Sequence, residues 1–234
     1  VGALAGIYVA VTGLRGPAVA GDVDSIAVLP FRPLTPDSRD EALEVGLADT
    51  LITRLSHLRR LTVRPIGAVS RFAATDRDAV AIGRELDVEA VLEGTIQRIG
   101  DRIRVNARLV RVADGKPLWA GKLDEAMTDL FAVQDAIAER VASAVIPELN
   151  GDERARLTKR YTENAVAYEH YLRGRYFWSQ RTPGALVQSV AEFECAVAAD
   201  AAFAPAYAGL ADAYHALVYW EEYPPTTYMP MAKQ

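Results

Sequence analysis

The chain has 234 residues, of which 50% are hydrophobic and 24% charged, with Lys+Arg 26 against Asp+Glu 31 and a formal net charge of -5. These proportions exclude wholesale disorder, and the mild acidity excludes a nucleic-acid binder that works through bulk charge. The single cysteine, Cys195, excludes an intrachain disulfide framework and a cysteine-rich zinc site.

The chain opens on Val1 rather than Met and closes in what reads as the start of a helix, so it is read as a piece of a longer protein. Residues 1–14 carry no charge. They are too few to span a bilayer, which needs roughly 20 apolar residues. They read either as the end of a transmembrane helix or as a signal-peptide remnant, with residues to 23 as a linker. On the first reading they provide membrane contact.

Ser25 to Phe31 is a short apolar run that suits a strand buried on both faces. Asp37 is the expected N-cap of a helix in which Leu43, Leu47, Leu51 and Leu55 recur every four residues. A short strand follows at 61–65, then a helix from Asp78 to Leu86 and a strand from Val88 to Ile99. Gly100-Asp101 reads as a two-residue hairpin turn. In the next strand Ile103, Val105, Ala107 and Leu109 alternate with Arg102, Arg104, Asn106 and Arg108, giving one buried and one wet face. Asp114-Gly115 turns into a fifth strand from Pro117 to Leu123, and Leu130, Val133, Ile137, Val141 and Val145 mark a closing helix. The order β-α-β-α-β-β-β-α predicts an α/β sandwich with a mixed sheet over residues 24–150.

Several phrases in this order resemble the TolB amino-terminal-like domain: Ser25 to Phe31, Gly46 to Leu55, Gly83 to Val88, Val91 to Ile96, Gly115 to Ala120 and Leu130 to Asp135. In CadC-like regulators such a domain follows a winged-helix DNA-binding head and one transmembrane helix, and it precedes tetratricopeptide repeats. The resemblance therefore implies an inner-membrane protein with residues 24–234 in the periplasm. Similar modules also follow receptor-type kinases and nucleotide cyclases.

Residues 151–234 contain nothing that reads as a strand. Leu172 and Tyr176 match Leu210 and Tyr214 at an offset of 38 residues. The pattern resembles the tetratricopeptide repeat, whose period is about 34 residues. This predicts an all-α repeat region, truncated here, that binds a protein or peptide partner on the face of its first helices. His170, Phe177, Asp212 and His215 are the expected groove residues.

No catalytic motif, phosphate loop or metal-ligand spacing is legible, so no enzyme activity, cofactor or metal is expected. His57 reads as a helix-end dipole partner and Cys195 as a small buried hydrophobe. Trp119 reads as core, and Asp124-Glu125 as surface charge. Arg98, Arg102, Arg104, Arg108 and Arg111 form a basic stripe. It reads as a solvated face balanced by Glu89, Glu93 and Asp101, or else as a docking patch in which Arg102, Arg104 and Arg108 meet an acidic partner or a second copy in a homodimer. Without interleaved aromatics it does not suit nucleic acid. The sequence thus reads as a sensory and interaction region of a membrane-anchored signalling protein, or as an envelope scaffold.

Overall fold

The computed structural model describes residues 23–73, 75, 77–126, 130–146, 148–219 and 226. The expected membrane segment at 1–14 lies outside them. Among the described residues no helix is long and apolar enough to cross a membrane.

The elements run β1 (Ser25–Val28), β2 (Arg32–Pro33), α1 (Glu41–Leu55), β3 (Thr62–Val63), α2 (Ile66–Val69), α3 (Ala79–Glu85), β4 (Ala90–Ile99), β5 (Arg102–Arg111), β6 (Pro117–Ala126), α4 (Leu130–Val145), α5 (Gly151–Leu157), α6 (Ala165–Ser179), α7 (Pro183–Ala199) and α8 (Ala204–Tyr219). The sheet has the order β3-β1-β4-β5-β6. Strands β1 and β3 are parallel, as are β1 and β4, and β4, β5 and β6 form an antiparallel meander. The mixed α/β sheet is as the sequence order implies. Two small elements escape that order: β2, a two-residue extension pairing with β4, and α2, a single helical turn.

Helix α1 begins later than its acidic residues suggest. Asp37 sits inside a 3-10 turn, because Pro36 and Ser38 close that turn on Thr35. The cap is Asp40, whose carboxylate accepts from the Leu43 amide, while Glu44 reaches back to the Asp40 amide. Burial pushes the Glu44 carboxyl up, against the lowering effect of that amide. From this start Leu43, Leu47, Leu51 and Leu55 fall on one buried face. Helix α3 starts at Ala79, with Asp78 as its cap rather than its first residue.

Strand β5 presents Ile103, Val105 and Leu109 fully buried to the side covered by α1 and α4. Gly100 takes the left-handed φ of +60 that the tight β4–β5 turn needs. Trp119, opposite Leu109, is half-buried rather than core, because β6 is the sheet edge and its ring lies over Gly121 of the same strand.

The last three helices close on Phe193, whose ring fits between Gly174 of α6 and Gly209 of α8. Cys195 is exposed, not buried: its neighbour Ala196 takes the inward position on α7. The expected equivalence of Leu172 with Leu210 and of Tyr176 with Tyr214 breaks down at the level of contacts. Leu172 packs on Gly46 of α1, and the Tyr176 hydroxyl donates to Glu41 at the start of α1. Tyr214 instead is buried within the helical layer and donates to Glu194 of α7 at 3.0 Å. Helix α6 therefore turns toward the sheet layer a face that α8 directs at α7.

Candidate functional site: a basic cleft at the junction

Where α6 docks on α1, two side chains fix the seam. Arg175 reaches Asp49 of α1 through two bonds, 2.5 Å from Nε and 3.1 Å from Nη2, and both side chains are largely buried. Tyr168, buried on α6, donates to Gln134 of α4 at 2.5 Å and lies with its ring centroid 4.4 Å from that of Phe131.

Beside this seam opens a cleft of ≈ 170 Å³. Thr50, Thr53, Arg54 and His57 come from the end of α1, and Phe131 from the start of α4. Arg156, Lys159, Arg160, Tyr161 and Thr162 come from the end of α5 and the linker to α6. Tyr168 and Tyr171 come from α6, Phe203 from the approach to α8 and Pro205 from its first turn. The floor is aromatic: Phe131, Tyr168, Tyr171 and Phe203 are all buried, and Tyr171 stands 5.1 Å from Phe203 and 6.0 Å from Tyr168. Burial pushes the Tyr171 hydroxyl up to about 12 and moves Tyr168 in the same direction. Neither phenol can act as a base near neutral pH.

The rim is cationic. Asp135 of α4 accepts from Arg54 and, at 2.9 Å and 3.0 Å, from Arg160. Arg54 also donates to the Leu157 carbonyl at 2.8 Å, which ties α5 to α1. Lys159 lies over the Tyr161 ring at 4.6 Å. Thr162 donates to Asp200 at 2.5 Å, and that bond holds the Asp200 carboxyl below the usual range. Among the described residues no acidic side chain lines the cleft. His57, read as a helix-end residue, stands on this rim. The readable signal was the basic run Arg156, Lys159 and Arg160 ending at Tyr161; its aromatic counterpart comes from three other segments and has no local pattern.

The basic stripe of the sheet is narrower than its sequence. Strand register puts Arg102, Arg104 and Arg108 on one face, opposite Ile99, Gln97 and Glu93 of β4. Arg98 and Arg111 fall on the other face, where Arg98 meets Glu169 of α6 at 3.2 Å. The balancing acids are Glu93, 2.6 Å from Arg108, and Asp124, which accepts at 2.7 Å from both Arg102 and Arg104. Glu89 is taken up elsewhere, accepting from the Asp24 amide at 2.6 Å. The guanidinium of Arg104, then that of Arg102, holds the Asp124 carboxyl below the usual carboxylate range.

His170 lies 2.7 Å from Glu192 of α7. Phe177 is half-buried beside Tyr176, with centroids 5.1 Å apart. Asp212, His215 and Tyr219 are exposed on one face of α8. Among the described residues no group of three or more His, Cys, Asp or Glu could hold a metal ion.

Among protein families, the HilA/YgeH-like transcriptional regulator second domain matches residues 22–140. Among curated proteins, a provisionally named adenylate cyclase 3 of Rhizobium meliloti (strain 1021) is 33% identical over 151 residues, covering 64% of this chain and 26% of that protein. The chain thus spans about a quarter of the length of that relative. Among solved structures, lipoprotein GNA1162 from Neisseria meningitidis is 22% identical, over 51% of this chain and 96% of its own, with a TM-score of 0.39. TolB from Acinetobacter baumannii is 17% identical, over 56% of this chain and 30% of its own, with a TM-score of 0.39. PelC from Paraburkholderia phytofirmans is 20% identical, over 56% of this chain and 94% of its own, with a TM-score of 0.35. Likenesses this partial carry no argument about function.

Proposed function

Because the chain belongs to the family of HilA/YgeH-like transcriptional regulator second domains, we propose that it is a non-catalytic regulatory module of a larger signalling protein. The family match is the observation that carries this reading. In the finer form, the protein is a CadC-like regulator with a winged-helix head. Residues 1–23 anchor it in the inner membrane and residues 24–234 lie in the periplasm. Residues 24–150 form the TolB-like part, and residues 151–234 a tetratricopeptide-type region that binds a protein or peptide. The exposed α8 face with Asp212, His215 and Tyr219 supports a partner surface there, since aromatic residues are favoured anchors. The module makes no direct contact with nucleic acid, and Arg102, Arg104 and Arg108 are offered to an acidic partner or a second copy.

A second reading has the same module regulating a nucleotide cyclase, and the 33% identity to the Rhizobium meliloti protein favours it. One experiment separates the two. Residues 24–219 are deleted in frame from the full-length gene in its host, the level of the remaining protein is checked, and transcripts and cyclic AMP are measured in parallel. The regulator reading expects a changed set of transcripts at constant cyclic AMP, and the cyclase reading a changed cyclic AMP level. If neither moves, the regulatory proposal is wrong.

A further inference from the structure

The junction cleft separates apolar surface from charge. On its floor lie the buried rings of Phe131, Tyr168, Tyr171 and Phe203, and several nearby hydroxyls are already committed. Tyr168 donates to Gln134. Thr50 donates to the carbonyls of Gly46 and Leu47, 3.0 Å each. Thr162 donates to Asp200. A sugar-like ligand would lose its hydration here without recovering its hydrogen bonds. Four rim cations, Arg54, Arg156, Lys159 and Arg160, line the opening, and among the described residues no carboxylate lines it with them. Asp135, behind the rim, offsets one charge shared between Arg54 and Arg160, and the exposed Glu163 lies 3.5 Å from Arg160, which leaves Arg156 and Lys159 as the uncompensated pair. Among the described residues Arg156 and Lys159 make no ion pair, and both are exposed.

We propose that this cleft binds a single-ring aromatic anion, with the ring on the aromatic floor and the acid group among Arg156, Lys159 and Arg160. Size supports one ring: the cleft measures ≈ 170 Å³, and an apolar cavity of about 150 Å³ accepts benzene. The floor rings already pack on one another in tilted arrangements, the kind a further ring would adopt against them. Guanidinium and ammonium groups at a half-open mouth suit a carboxylate or phosphate that stays partly hydrated. A cation would be repelled, and a whole nucleotide exceeds the buried volume. The ligand would touch α1, α4, the α5–α6 linker, α6 and the approach to α8 together, so its binding strengthens the docking of the helices on the sheet layer.

Binding can be measured on the purified chain, so this inference and the regulatory reading stand or fall separately. Calorimetric and NMR titrations of the 234-residue chain with benzoate, phenyl phosphate, benzamide and acetate test it. The expected result is saturable one-to-one binding of benzoate or phenyl phosphate, at least about tenfold tighter than benzamide or acetate. The tighter of the two anions distinguishes a carboxylate from a phosphate ester. The double substitution Arg156→Ala/Lys159→Ala, at exposed positions outside the core, should weaken binding by at least about tenfold while leaving the circular dichroism spectrum unchanged. Equal binding of benzamide, equal binding of acetate, no saturation with either aromatic anion, or undiminished binding by the double variant would each overturn the proposal.

Discussion

Leu47, Leu51 and Leu55 of α1 are fully buried beneath an aliphatic sheet face, whereas α6, α7 and α8 close on rings: Phe193, Phe203, Tyr168 and Tyr171. The two regions also differ in how far their interiors are their own. The sheet layer is filled by its own helices α1 and α4. The helical layer borrows surface from it: Leu172 rests on Gly46, Tyr168 bonds to Gln134, and Arg175 is neutralised by Asp49. Periodic aliphatic packing needs only regular strands and helices, while the aromatic helices depend on partners 34 to 126 residues away in sequence. The helical layer should therefore be the part that loosens first.

Phe193→Ala probes that ordering most strongly. It leaves a ring-sized void between Gly174 and Gly209 and should cost about 3–5 kcal/mol. Hydrogen exchange should show lost protection in α6, α7 and α8 with β4 and β5 still protected. Simultaneous loss in β4 and β5 would mean that both layers unfold as one unit. Leu51→Ala, at the base of α1, should cost about 2–5 kcal/mol by urea denaturation. Because α6 stands on α1, this change should expose both layers together, and loss confined to the sheet layer would break the proposed dependence.

Arg175→Met tests the seam itself. It strands Asp49 without its buried partner and should cost about 3 kcal/mol. Adding Asp49→Asn should return part of the loss, as a double-mutant cycle would show. No recovery would assign the effect to packing against Trp178, whose ring lies 4.6 Å from the Arg175 guanidinium.

Arg104→Ala should matter least, under about 1 kcal/mol at neutral pH, as for a solvent-screened pair. Its pH dependence carries a sign. Asp124 has its folded pKa lowered by Arg104 and Arg102, so its contribution is present above the unfolded carboxylate pKa and is lost as pH falls through the folded value. The stability gap between Arg104→Ala and the parent should narrow on acidification. A gap that widened would mean that Asp124 is not the partner that matters.

Much of the fold was legible because local periodicity reports local structure. The four-residue leucine spacing marked the buried face of α1, alternation marked the wet and dry faces of β5, and Asp78 marked the start of α3. Sequence failed where two local signals competed. Asp37 and Asp40 both precede α1, and only Pro36 folding into its own turn selects the second. Trp119 lies on a strand of core composition, but its position at the sheet edge leaves it half exposed. The matched positions Leu172/Leu210 and Tyr176/Tyr214 differ in their contacts because α6 packs on α1, which no spacing within the helices reports.

By itself, then, the sequence determined the elements, their order and the mixed sheet, because periods of two and 3.6 residues are written into neighbouring positions. Tertiary structure alone decided that Asp124 rather than Glu89 or Asp101 serves Arg102 and Arg104, since strand register selects the partner. It alone gathered Arg156, Lys159 and Arg160 over Phe131, Tyr168, Tyr171 and Phe203. That arrangement arises when segments distant in sequence dock, and no local period encodes the angle or depth of that docking.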